Sequence, residues 1–434
     1  MLRPLSHRLP LGGERFPAVW CSIPRFGDFV PPLPVRILQG AAGRLCFPPS
    51  LSERPPMSIL RAGRCPSLWL LALPAAMLAT LPVVARAAEP AAVQAAIRRG
   101  SAYLATAGQA ADGSFSAAAG PAVTALVVAG MAKSGTPVDA PAIRKGLDYL
   151  LSFRREDGGI HTPDSSIGNY ETAIALFALA ACNQDGRYAK EIEAAEAFLK
   201  ELQWDESEGL TPADANYGGA GYGKKGRPDL SNTAFLIEAL RNAGAAEDDP
   251  AIQRALLFVS RTQNLPGPHN ELPIAEKNPD GGFYYTPANG GESMAGTTPA
   301  GGLRSYASMT YAGLKSMVFA GLTKDDPRVI AALEWLAKHY TFDENPGMAD
   351  SGLYYYYHTM AKALDVLGDE TFPDASGTPH AWRGELSDAV LARQQADGSW
   401  VNPNARWMEN DPNLVTAYAL MALAYCQPPT GAAR

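Results

Sequence analysis

Two kinds of apolar segment alternate along this chain. The first kind is amphipathic: IRRGSAYL (97–104), IRKGLDYL (143–150), IEAAEAFL (192–199), IQRALLFV (252–259), VIAALEWL (329–336) and WRGELSDAVL (382–391). Apolar residues fall at i, i+3, i+4 and i+7 with charges between, which predicts a helix with one buried stripe. The second kind is apolar almost all round and is built on Thr-Ala or Ala-Leu. Its copies begin near Val123, Asn169, Ser231, Tyr306, Tyr356 and Leu414. Such segments predict helices buried on most sides. Repeats of this length are supersecondary units that bury their apolar faces only by stacking on one another. Six amphipathic and buried pairs predict an all-α fold: an α/α toroid of six helical hairpins, with an outer ring around an inner one.

The boundaries agree with this reading. Asp249-Pro250 and Asp326-Pro327 put a capping carboxylate before a proline at the first helical position. Gly135, Gly244 and Gly368 follow predicted helix ends, where a left-handed residue is needed. Between partner helices run Gln109 to Phe115, Glu156 to Ile160, Asp280 to Phe283 and Gln394 to Trp400. A polar residue at a helix end, an Asp-Gly turn and an apolar or aromatic plug make a clamp between repeats. These aspartates are read as structural.

The N-terminal part is different. Met57 opens a secretory signal with Arg61 and Arg64, an apolar run from Leu68 to Val84 and Ala85-Arg86-Ala87 as cleavage site. Pro74 and Pro82 inside the run argue against a permanent membrane span, so residues 57–87 are expected to be removed. Residues 1–56, with eleven prolines, seven arginines and no lysine, are expected to be a start placed too early or a disordered extension. The toroid is expected to occupy 88–434 as one domain in a secreted or periplasmic protein. Without residues 1–87 the chain carries 27 basic and 41 acidic side chains, a formal charge of −14. That balance argues against nucleic acid and anionic membrane as partners. Only Cys182 and Cys426 lie in this part. They end the second and sixth inner helices, which are not neighbours in a closed ring of six, so both thiols are expected to be free.

Outer helix, Gln-x3-Gly-x-Trp turn and inner helix together resemble the repeat of squalene and hopene cyclases and of protein prenyltransferase β-subunits. Gln394 to Trp400 matches that turn in full. The resemblance extends over about 91–427 and implies the toroid; it is less specific for a reaction. The Asp-x-Asp-Asp acid of the cyclases has no counterpart, because Glu247 to Pro250 and Lys324 to Pro327 read as helix caps. Tyr357-His358-Thr359 matches the zinc-histidine helix of the prenyltransferases, but Arg304 and Tyr306 stand where that family has its Asp and Cys. A guanidinium and a phenol do not replace a carboxylate and a thiolate on zinc. Glu292 or Asp350 would be the substitutes, and no metal or cofactor is expected.

In the toroid the inner helices start at one mouth. There the sequence puts Tyr170, Glu171, Asn232, Arg304, Tyr306, Tyr354 to His358 and Asn413, with Tyr284 and Tyr285 close by. His358, Arg304 and Tyr357 are the catalytic candidates. Tyr306, Tyr170, Glu171, Tyr354, Tyr356, Tyr284 and Tyr285 are candidates to bind a ligand. The stretch from Asn264 to Arg304, rich in Gly, Pro and Asn, is expected to lie near this mouth as a lid or a disordered segment. The acidic loop from Asp343 to Asp350 has the residue types to bind calcium but lacks an EF-hand spacing, so it is read as solvated. No G-x-S-x-G, P-loop or H-E-x-x-H is present. Two readings stay open. One is an exported toroid that binds an apolar small molecule or a peptide or protein partner at an aromatic mouth. The other is a divergent prenyltransferase- or cyclase-like enzyme with His358 as base and Arg304 on an anionic head group.

Overall fold

The computed structural model describes residues 89–223 and 226–427. The signal read over 57–87 and the stretch 1–56 lie outside the described residues. The amphipathic segments form helices α1 (Pro90–Tyr103), α3 (Pro141–Leu151), α5 (Ala189–Glu201), α7 (Pro250–Arg261), α9 (Pro327–Lys338) and α11 (Trp382–Leu391). The apolar segments form α2 (Pro121–Lys133), α4 (Gly168–Ala181), α6 (Leu230–Ala243), α8 (Ala307–Phe319), α10 (Leu353–Leu367) and α12 (Pro412–Cys426). The second set is buried nearly throughout, as in α2, where every residue from Pro121 to Met131 is inside.

Each helix of the second set packs against the next, and α12 packs against α2, which closes an inner ring of six. The amphipathic helices lie outside, each against its own inner helix or the adjoining one. The α/α toroid of six hairpins is therefore what the chain forms. The predicted caps are in place: Asp249 accepts Ala251 N–H at 2.8 Å and Asp326 accepts Arg328 N–H at 2.9 Å. A two-residue antiparallel pairing, β1 (Phe372–Pro373) with β2 (Pro379–His380), is the addition that periodicity does not show.

The clamps between repeats are built as their residue types require. Gln109, Gln203, Gln263 and Gln394 each donate Nε2–H to the carbonyl of the glycine in their own turn and to a carbonyl near the start of the next outer helix. In the last clamp that next helix is α1, because Gln394 reaches Ala96 O at 3.0 Å and so closes the outer ring. Gly398 has φ of 95°, and a Cβ there would stand 2.6 Å from Arg99 O, so the turn needs glycine twice over. The threonine of the repeated phrase has its own task. Thr124, Thr172, Thr233, Thr310 and Thr416 each accept the N–H of the plug residue that opposes them. One inner-helix hydroxyl thus satisfies a buried loop amide in five of the hairpins.

Cys182 and Cys426 are both buried and free. They end α4 and α12, which are separated by α2.

Candidate functional site

The side chains facing the bore fall into two layers. Near the helix N-termini, Tyr170 of α4, Phe235 of α6, Tyr355 of α10 and Tyr418 of α12 meet ring to ring. Tyr170 lies edge-on to Phe235 at 5.5 Å, Phe235 is 6.3 Å from Tyr355, and Tyr355 is edge-on to Tyr418 at 5.9 Å. Tyr222, from the loop before α6, adds a ring 6.1 Å from Tyr170. Rings from four inner helices therefore converge. Inner-helix residues are otherwise almost all inside, yet Tyr170, Ser231 and Tyr355 are only half-buried, and Tyr222 is 42% exposed. Their partial exposure marks where solvent reaches the bore.

Asp229 sits at this mouth as the cap of α6. Its carboxylate accepts Asn232 N–H at 2.9 Å and Asn232 Nδ2–H at 2.8 Å. Burial pushes its pKa up to about 6, although the Asn232 hydrogen bonds, Tyr285 and Arg227 oppose the rise. Arg227 stacks over the Tyr285 ring at 5.6 Å and pairs with Glu292. Tyr306 is buried beside Asp229 and Tyr355. The mouth is thus a tyrosine wall with buried carboxyls beside it: Asp229 at the start of α6, and Glu409, which accepts Tyr355 N–H at 2.8 Å at the start of α10.

One turn deeper the chemistry changes. Glu238 of α6 accepts both Lys315 of α8 and Lys362 of α10. All three side chains are at most 5% exposed. Burial pushes the Glu238 carboxyl up, but the two ammonium groups outweigh it and hold it well below the usual carboxylate range. Lys362 also stands over the faces of Phe177, Phe319 and Tyr425 at 5.5–5.7 Å, where a desolvated cation is favoured. His358 lies in this layer, stacked on Tyr418 at 5.7 Å, and Nδ1 has no hydrogen-bond partner. Burial lowers its pKa to about 3, and Lys315 and Lys362 add to the fall against the pull of Glu238.

The sequence candidates separate accordingly. Tyr170, Tyr285 and Tyr306 are at the mouth as expected. His358 is on the bore but below it, neutral and a weak base. Arg304 is not brought to His358; it is exposed, on the outer side, beside α9. Tyr356 and Tyr357 point away from the bore and donate their hydroxyls to Thr341 O and Phe342 O, with Tyr354 packed edge-on against Tyr357. Four tyrosines in a row on a helix face different ways, and only Tyr355 faces inward. Tyr284 donates to Arg261 O at 2.6 Å in the outer layer. Glu171 straps the preceding loop, accepting Ser165 Oγ at 2.6 Å. Neither proposed substitute metal ligand stands with His358: Glu292 pairs with Arg227, and Asp350 accepts Asn404 at 2.8 Å. Asn345 of the acidic loop is buried and caps α8 at Ser308 N–H, 3.1 Å, so part of that loop is structural.

Several bore residues escaped the sequence reading. Glu238, Lys315 and Lys362 are charges within apolar runs, at positions where a buried helix has no use for them unless they meet. That signal was available. The role of Asp229 was not, because Arg-Pro-Asp-Leu-Ser-Asn reads as an ordinary helix cap.

Residues 112–286 match the family model of the squalene-hopene cyclase C-terminal domain, so the resemblance carried by the repeats is borne out over that stretch. Among curated proteins none matches the chain. Among solved structures, the type II terpene cyclase MstE from Scytonema is similar at 15% identity, covering 77% of this chain and 98% of that one, with a TM-score of 0.46. A variant of that enzyme holding geranylgeranyl dihydroxybenzoate as substrate is similar at 12% identity, covering 77% and 97%, with a TM-score of 0.48. A glycosidase is similar at 13% identity, covering 77% and 96%, with a TM-score of 0.45.

Proposed function

We propose that this toroid binds an apolar, chain-like small molecule at its tyrosine mouth, with Asp229 as the polar contact at the entrance. One observation carries the reading: Tyr170 of α4 and Tyr355 of α10 are only half-buried on an otherwise buried inner ring, and Tyr355 stands near the buried Asp229. Aromatic walls with a few polar groups are the make-up of sites that take apolar ligands and fix their orientation. The ionic layer of Glu238, Lys315 and Lys362 forms the floor, so a ligand would enter from the helix N-terminal side and stop there. A peptide or protein partner fits less well, because the half-buried rings stand on the inner helices rather than on the outer surface. The signal over 57–87 supports an exported site of action, and no helix among the described residues is long and apolar enough to cross a membrane.

The experiment is mass spectrometry of apolar molecules retained by the purified protein, compared with Tyr355→Ala. A molecule carried by the first and lost from the second supports the reading. Equal retention by both contradicts it.

A cyclase-like enzyme is the second reading, and it rests on Asp229 rather than on His358 and Arg304. A carboxyl that is protonated near pH 6 and faces aromatic rings is suited to donating a proton beside groups that favour cations. Incubation with an isoprenoid alcohol tests it. A cyclised product that disappears in Asp229→Asn would favour this reading over simple binding.

A further inference from the structure

The segment between α7 and α8 builds a second concavity, on the outside of the toroid. Its part at Tyr285 and Glu292 reaches the mouth, and the rest lies elsewhere. Its turn at Asn278 to Gly281 and its return through Ala295, Thr298 and Arg304 face one side of α9. On that side Ala331, Glu334, Trp335, Lys338 and His339 fall at i, i+3, i+4, i+7 and i+8, a single helix face. Between them is a cleft of about 600 Å³, within the range of small-molecule sites.

The wall is fixed by its own hydrogen bonds. Asn264 Nδ2–H donates to Leu303 O at 2.8 Å and to Ser305 Oγ at 2.9 Å, and Asn278 Nδ2–H donates to Leu303 O at 2.8 Å. Asp280 accepts Ser305 Oγ–H at 2.6 Å and Gly282 N–H at 3.0 Å. These groups are used up in holding the loop. Four others in the cleft are not. Among the described residues Arg304 spends only Nε–H, on Thr297 O at 2.9 Å, which orients its guanidinium and leaves both terminal nitrogens available. His339 spends only Nδ1, on Trp335 O at 2.7 Å, and its ring stacks on the Trp335 indole at 3.9 Å, so Nε2 faces outward. The side chains of Glu334 and Lys338 make no hydrogen bond or ion pair among the described residues.

We propose that this cleft is a second ligand site, taking a small polar carboxylate whose anionic group is held by Arg304 and Lys338. The planar guanidinium matches a carboxylate in bidentate fashion, and Lys338 adds a point charge from the opposite wall. His339 and Glu334 then address hydroxyl or amide groups on the body of the ligand, one as a nitrogen partner and one as an acceptor. The negative end of α9 lies near Lys338 and opposes an anion, but that effect fades beyond the last turn, and Arg304 reaches in from the other side. An acidic sugar and an N-acylated amino acid present this same chemistry. The site is separate from the mouth and does not depend on the reading of it.

Isothermal titration with glucuronate, N-acetylalanine and neutral glucose tests the proposal. At least one carboxylate should bind saturably, and glucose about tenfold more weakly or not at all. Whichever carboxylate binds more tightly identifies the source. Arg304→Gln, at an exposed position, should weaken carboxylate binding about tenfold or more, while Tyr355→Ala leaves it unchanged. Ala331→Phe, which fills the cleft from α9, should abolish binding; circular dichroism of each variant confirms that it folds. Absence of saturable binding by either carboxylate, or affinity unchanged in both Arg304→Gln and Ala331→Phe, would overturn the site.

Discussion

Glu238 and Lys362 form an ion pair across the bore, from α6 to α10, two helices that are not neighbours in the inner ring. Lys315 of the intervening α8 joins them, so one carboxylate ties three helices together at a depth where bulk solvent screens the charges little. Removing a single member of such a buried group leaves charge without a partner.

Glu238→Gln should therefore cost about 3–5 kcal/mol of unfolding free energy. The triple replacement of Glu238, Lys315 and Lys362 by methionine should cost far less, because no charge is left behind. Urea unfolding of the two variants checks this. Equal losses would mean that the charges contribute no more than packing.

The ring itself was legible in the sequence because its causes are local and repeated. Periodicity gave the two helix types, Asp-Pro and glycine gave their ends, and the Gln turn gave the clamp. The copy at Gln203 is harder to read because Tyr217, not Asp, precedes its turn glycine, Gly218. The site was less legible because facing depends on where each residue falls on its helix. Tyr354, Tyr356 and Tyr357 differ from Tyr355 by one or two positions, and a helix turns them to the outer layer. The closeness of Arg304 to α8 in sequence predicts a place at the mouth, but the wall ends on the outer side before the chain turns in.

Two buried groups make stability depend on pH in opposite directions. Asp229 titrates at about 6 in the folded chain against 3.8 ordinarily. Its pKa is raised, so its contribution is fully present below the ordinary value and is lost as pH rises through about 6. His358 titrates at about 3 against 6.5. Its pKa is lowered, so its contribution is present above 6.5 and is lost as pH falls towards 3. From about pH 7 down to about pH 4, wild type should gain on Asp229→Asn and lose ground to His358→Gln. Denaturation at several pH values reads both slopes, and parallel profiles for all three proteins would contradict the burial of these groups.

The two thiols should stay unpaired even in an oxidising compartment. Next-but-one helices are about 15–18 Å apart if packed axes are spaced by about 8–10 Å, well beyond the roughly 7 Å a disulfide permits between Cα atoms. Burial also raises Cys182 to about 11 and Cys426 to about 12, which makes both slow to react. Peptide mapping under non-reducing conditions checks the pairing. A Cys182–Cys426 bridge would mean that α2 does not separate α4 from α12.

Export is a proposal that rests on the leader from Met57 to Ala87. The mature chain is expected to begin at Ala88. N-terminal sequencing of protein recovered outside the cytoplasm decides this, and a chain that still carries residues 1–56 would contradict both the start and the cleavage.

The proposed apolar ligand at the tyrosine mouth stands or falls on the equilibrium binding of geranylgeraniol. Binding should be saturable, about tenfold weaker in Tyr355→Ala through loss of one aromatic wall, and unchanged in Arg304→Gln. A lack of saturable binding, or equal affinity in wild type and Tyr355→Ala, would contradict the account.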